Sequence, residues 1–212
     1  MRWIAVLAAA IVVVGAATTA GLTGGQRALA AKASLNPAAH AGFASIPGLT
    51  KIASGAWAVS LCADLKGSTT RSAQTHRPWY CAQRGRYRDQ TWVLRAAARK
   101  YGIHHVSLPI PLALARRHPG VSEVSSDVLA LASASVAKRF FPIETHTAGY
   151  SALPRAAING GIAARIESPA NDGLSEFRFA WIRRAAIVDL NILGSHMTAA
   201  EAKRVALRAR PS

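Results

Sequence analysis

The sequence predicts an α+β fold. It reads as an antiparallel β-sheet of about 4–6 strands packed against helices, preceded by an N-terminal apolar signal or anchor helix. Three observations carry this. Phe177, Phe179 and Trp181 alternate with Arg178 and Ala180, and Val188, Leu190 and Ile192 alternate with Asp189 and Asn191, the period of strands buried on one face. Val128, Ala132, Val136 and Phe140 recur at helical spacing, and Thr198-Ala199-Ala200-Glu201 is a capping box. Trp3 to Ala20 is an apolar run without a charge.

That run follows Arg2 and precedes Arg27 and a small Ala28-Leu29-Ala30 triplet. This is the layout of a secretory signal cut after Ala30. The run also approaches the roughly 20 residues that span a bilayer, so the rival reading is a retained anchor with Arg2 kept inside. Both alternatives put the rest of the chain outside the cytoplasm, secreted or anchored in the cytoplasmic membrane. Residues 1–30 are read as signal or anchor, 31–50 as a linker with Pro37, Gly42, Pro47 and Gly48, and 51–212 as a single extracytoplasmic domain.

Within the domain, Trp57, Val59 and Leu61 alternate with Ala58 and Ser60 and predict a strand from Ala56 to Cys62. Ser68 to Arg88 is polar, basic and loop-like. Asp89 is placed to cap a helix from Gln90 to Tyr101, with Gly102 as its stop. Pro109, Pro111 and Pro119 break the middle, leaving room for a short helix over Leu112 to Arg117. Ser125 or Ser126 opens the next helix, which runs to Phe140 and ends at Pro142. Ile143 to Thr147 reads as a weak strand. Asn159-Gly160-Gly161, between Arg155–Ile158 and Ile162–Ile166, signals a hairpin because Asn-Gly tolerates positive φ. The two alternating strands pair around Arg183 to Ala186, and the capping box opens a helix to about Arg208.

Cys62 and Cys81 are the only cysteines, and in an oxidising compartment such a pair reads as a disulfide. The loop it closes is about 19 residues, worth on the order of 3 kcal/mol in the chain-entropy model. A metal site there would need more ligands than His76.

The second half resembles the Mog1/PsbP-like domains of small secreted proteins and lipoproteins of high-GC Gram-positive bacteria. The residues that carry the resemblance are the helix Ser126 to Phe140, the hairpin Ile158-Asn159-Gly160-Gly161-Ile162-Ala163-Ala164-Arg165-Ile166, the strand pair ending Ile187 to Gly194, and Thr198 to Ala202 leading to Arg208-Ala209-Arg210-Pro211. The resemblance spans roughly 85 residues. It implies a binding or accessory module rather than an enzyme, and it transfers no catalytic residue.

Charge narrows the partners. Lys and Arg number 26 against 10 Asp and Glu, a formal +16, which steers a protein toward polyanions. Export argues against nucleic acid and for anionic lipid headgroups, acidic wall polymers or an envelope protein. High-GC coding, visible in the Ala and Arg abundance, contributes part of the excess.

The basic residues concentrate between Arg71 and His118. Arg84, Arg86, Arg88, Arg95, Arg99 and Lys100 are interleaved with aromatics, of which Trp79 and Tyr87 are the best placed to stack or anchor. These eight are the candidate binding patch. Alternatively they form a solvated face, with the aromatics in the core or packed on the disulfide.

Weaker signals point to an envelope hydrolase. Gly149-Tyr150-Ser151-Ala152-Leu153 nearly matches a nucleophile elbow, with Asp189 and His196 following in order. It lacks the last Gly, and Pro154 stands where a helix should begin. Ala96 to Ile103 resembles the first helix of lytic transglycosylases, but no Glu follows before Glu123, and that chemistry needs an acid. The ten acids show no paired carboxylates in sequence, although pairs can form in space. His104-His105 and His118 read as surface residues. No motif calls for a cofactor or metal. The sequence favours a non-enzymatic envelope binding module. A hydrolase or a structural partner in a membrane complex is the alternative.

Overall fold

The computed structural model describes residues 42–64, 77–103, 119–146, 150–166 and 174–211. All of them fall in one unit spanning Leu35–Ser212. The signal or anchor segment, the predicted helix over Leu112 to Arg117, and His76, His104, His105 and His118 lie outside the described residues.

The chain enters as a short strand β1 (Phe43–Ser45) and a long one, β2 (Leu49–Ser60). A helical turn α1 (Leu61–Asp64) and a short helix α2 (Arg77–Ala82) follow. Next come β3 (Arg84–Leu94), helix α3 (Arg95–Tyr101), β4 (Gly120–Leu131) and helix α4 (Ala134–Glu144). The second half holds β5 (Tyr150–Ala152), a 3-10 turn at Pro154–Ala156, β6 (Ile162–Ile166), β7 (Leu174–Arg183) and β8 (Ala186–Ser195). Helix α5 (Ala199–Arg208) and β9 (Arg210–Pro211) close the described chain.

Among the described residues, seven strands form one sheet in the order β2-β3-β4-β8-β7-β6-β5, and β1 pairs with β9 separately. Every pair is antiparallel. The α+β class holds, with a sheet wider than the sequence suggested.

Both faces of the sheet carry a core. On one, Val124, Val128, Phe177, Phe179, Trp181, Val188, Leu190 and Ile192 pack under Ala202 and Ala206 of α5, joined by Phe43, Ile46 and Leu49. On the other, Leu129, Leu131 and Ile187 pack under Val136, Ala137, Phe140 and Ile143 of α4, with Leu61 and Tyr80 beside them. We call these the α5 face and the α4 face. Phe43, Ile46 and Leu49 belong to the segment read as linker, which from Phe43 onward contributes a strand and core side chains.

Several elements differ from their sequence reading, each for a visible reason. Gln90 to Leu94 is not helix but the end of β3. Adjacent Trp92 and Val93 are both buried because they enter separate cores on opposite faces. The helix is only Arg95–Tyr101, and Gly102 ends it in the left-handed region as expected. Ser125 to Leu131 is strand, and the helix starts later, capped by Ser133, whose Oγ accepts from the Val136 N–H at 3.2 Å. Pro142 sits inside that helix rather than after it, and Ile143 and Glu144 are helical rather than strand. Arg77 to Arg88, read as loop, holds α2 and the start of β3. The strand read over Ala56 to Cys62 begins at Leu49 and stops at Ser60.

The Asn159-Gly160 turn has positive φ at both residues. Its strand, β6, pairs with β5 instead of with Arg155–Ile158. The β7–β8 hairpin lies where the alternation places it, with Arg184 taking the positive φ that Gly would favour. The capping box is complete: the Thr198 Oγ1 accepts from the Glu201 N–H, and Glu201 accepts from the Thr198 N–H at 2.8 Å. Cys62 and Cys81 form a disulfide.

Candidate functional site

The predicted basic patch divides along β3. Successive strand side chains alternate between faces, so residues two apart share one. Arg84, Arg86 and Arg88 therefore line up on the α5 face, beside Ser60, Ala58 and Ala56 of β2. Arg86 also lies opposite Ala130, Ala130 opposite Ala186, and Ala186 opposite Arg183. One lateral row thus reads Ala58, Arg86, Ala130, Ala186, Arg183. Its two arginines are roughly 14 Å apart at Cα, three strand spacings, with only methyl groups between. Arg184 follows in the hairpin turn.

Their surroundings differ. Arg84 is exposed but held: its Nη1 donates to the Cys81 carbonyl at 2.8 Å, the Gln83 carbonyl at 3.1 Å and Ser60 Oγ at 3.2 Å. The stem of Arg88 runs over Gly42, where a Cβ would come within 2.8 Å of its Cδ. Burial, then the neighbouring Arg184, lowers the pKa of Arg183. Such a shift marks an arginine whose charge is poorly compensated. In the sequence Arg183 and Arg184 read only as a turn without glycine.

The remaining candidates sit elsewhere. Arg95, Arg99 and Lys100 are on α3, at the far end of β3 from Arg84. Arg95 Nη2 donates to the Leu49 carbonyl at 3.2 Å, and Lys100 lies 5.3 Å from the Tyr101 ring centre. Trp79 and Tyr87 belong to the α4-face cluster. Trp79 packs edge-on against Tyr80 and carries the Arg139 guanidinium 4.2 Å above its ring. Tyr87 stacks at 5.7 Å on Trp57 and donates its hydroxyl to Glu144 Oε1 at 2.8 Å. The structure therefore gathers Arg84, Arg86 and Arg88 and separates them from the other five.

A second cluster has no counterpart in the sequence reading. On the α4 face, Asp89, Asp127 and Asp189 stand directly opposite one another on β3, β4 and β8. Like charges opposite each other across a sheet destabilise it. Asp189, 6 % exposed, is answered by Arg178 of β7, which donates from Nε at 2.8 Å and from Nη2 to the same Oδ2. Arg178 Nη2 also reaches the Glu144 carbonyl at 3.2 Å. Asp89 leans the other way, its Oδ1 occupying the space a side chain at Gly55 would fill. Asp127 stays in the middle. Burial raises its pKa to about 6, helped by Asp189 and then Asp89 and opposed by Arg178. Burial also raises Asp189, against the pull of Arg178, and Glu176. Among the described residues, no group of three or more His, Cys, Asp or Glu is arranged to hold a metal ion.

The elbow-like residues do not converge. Ser151 is opposite Arg165, Arg165 opposite Phe177, and Phe177 opposite Ile192, which puts Ser151 on the α5 face. Asp189 is on the other face and tied to Arg178. His196 lies past the end of β8, roughly 20 Å along the strand from Asp189. Among the described residues no helix is long and apolar enough to cross a membrane. Comparison with known proteins finds no matching family model, no matching curated protein and no matching solved structure.

Proposed function

We propose that this chain is a non-enzymatic, extracytoplasmic binding module that holds an anionic component of the cell envelope through the α5 face of β3. The observation that carries the reading is the arginine row. Arg86 and Arg88 sit two apart on one strand face, and Arg183 shares the Arg86 row across a floor of alanines. The ion pairs found among the described residues involve Arg178 and Arg204, not these three. Guanidinium groups without a carboxylate are free to take phosphate or carboxylate in two-pronged hydrogen bonds. The +16 of the whole chain adds long-range attraction for the same ligands. The apolar N-terminal run supplies the address.

The test is co-sedimentation of the full chain with vesicles of phosphatidylglycerol and phosphatidylcholine, and with acidic wall polymer, at low and high salt. Wild type is expected on one of the anionic phases, released by salt. The triple variant R86S/R88S/R183S, carrying the same leader, is expected to lose about tenfold in affinity, since charge-assisted hydrogen bonds contribute roughly 1.5–3 kcal/mol each when desolvated and less at a surface. R99S/K100S removes two charges from α3 and is expected to change little. Equal loss in both variants would reduce the effect to net charge and overturn the row as the site.

A further inference from the structure

We propose that the Asp89–Asp127–Asp189 row is a proton-sensitive element that makes the centre of the sheet tighter in mildly acidic surroundings and looser at neutral pH and above. The inference is independent of the arginine face.

The geometry comes first. Three carboxylates occupy one lateral row on three adjacent strands, with side chains about 5 Å apart at Cβ. The outer two are drawn away from the middle, Asp189 by Arg178 and Asp89 into the space over Gly55. Asp189 Oδ1 and Asp89 Oδ1 are buried and find no hydrogen-bond donor among the described residues. A buried acceptor without a donor is costly, and Asp127 has a carboxylate of this kind on either side. A proton on Asp127 removes the central charge.

The other charged groups facing Asp127 do not relieve it. On its own strand the α4 face carries Glu123, and β7 adds Glu176 beside Arg178. From α4 comes Glu144, which accepts from Tyr87, while Lys138 and Arg139 of that helix are exposed. Arg178 is thus the cation that acts on the row, and it donates from Nε and Nη2 to Asp189.

The sign follows from linkage. The folded-state pKa of Asp127 lies near 6 against an ordinary 3.8, so between those values the folded chain binds more protons than the unfolded one. Stability then falls as pH rises through this window, and stays low above it. Glu176 and Asp189, both raised, add in the same direction. Carboxylates in ordinary ion pairs give the opposite slope.

Urea unfolding of the full chain at pH 5, 6, 7 and 8 tests the proposal. The wild-type midpoint is expected to drop from pH 5 to pH 7, and Asp127→Asn to remove the larger part of that drop while holding the pH 7 midpoint above wild type. A second readout needs no destabilising change: the side-chain carboxyl carbon of Asp127, followed by NMR, is expected to titrate near pH 6, and at lower pH in Asp89→Asn. A midpoint near pH 4, or the same pH dependence in Asp127→Asn as in wild type, overturns the proposal.

Discussion

Arg178 and Asp189 form a buried ion pair on the α4 face. Both side chains are about nine-tenths buried, and burying an ion pair rarely stabilises a fold beyond what apolar residues would do. Removing one partner is a different matter, because it strands a charge. Arg178→Met is expected to cost about 3–5 kcal/mol at neutral pH, and to cost less at pH 5, where the abandoned Asp189 takes up a proton. Urea unfolding at the two pH values measures this, and Arg178→Met/Asp189→Leu is expected to recover most of the loss. A different residue constraint sits at Gly161. A Cβ there would run into the backbone carbonyl of Ala180 on the facing strand. Gly161→Ala must therefore shift β6 or the turn before it. A loss of about 1–3 kcal/mol is expected, read as a lower thermal midpoint.

At the scale of elements, the legible parts were those whose own residues close their hydrogen bonds or alternate cleanly. The α5 capping box is one. Thr198→Ala is expected to remove about 1 kcal/mol, which for a chain of this size lowers the thermal midpoint by roughly 2–4 °C. The β7–β8 hairpin is another, because Phe177, Phe179 and Trp181 face one core with Val188, Leu190 and Ile192. Strand β4 reads as helix because Val128, Ala132, Val136 and Phe140 keep helical spacing across a strand–helix junction. Its true signal was the two-residue period of Ser122, Val124, Ser126 and Val128, muted by serines that are buried all the same. Strand β3 hid for a related reason. Arg84, Arg86 and Arg88 alternate with Gly85, Tyr87 and Asp89, so neither side reads as apolar. The alternation of arginines was itself the strand, and it made half of the candidate patch legible while its partner row residue, Arg183, was not. The acidic row was invisible because it depends on the register of three strands, which no single segment contains.

For the molecule as a whole, the sheet separates two chemistries. The α5 face is a broad apolar core that passes into arginines at the β3 and β7 ends. The α4 face is a smaller core, built on Leu129, Leu131 and Ile187, bordered by the acidic row. The disulfide serves the second face. Cys62 follows Leu61, and Cys81 follows Tyr80; both Leu61 and Tyr80 are fully buried against Phe140 and its neighbours. The crosslink thus holds two core side chains at opposite ends of a stretch whose sequence is polar, with little apolar content to position them. Cys62→Ser/Cys81→Ser is expected to cost about 3 kcal/mol from loop entropy, and the loss should be uneven. Hydrogen exchange is expected to quicken first in α2, α4 and the start of β3, while β7, β8 and α5 keep their protection, since among the described residues none between Cys62 and Cys81 belongs to the α5-face core. Uniform quickening across both faces would instead mean that the two cores unfold as one unit, with the disulfide acting only through the unfolded chain.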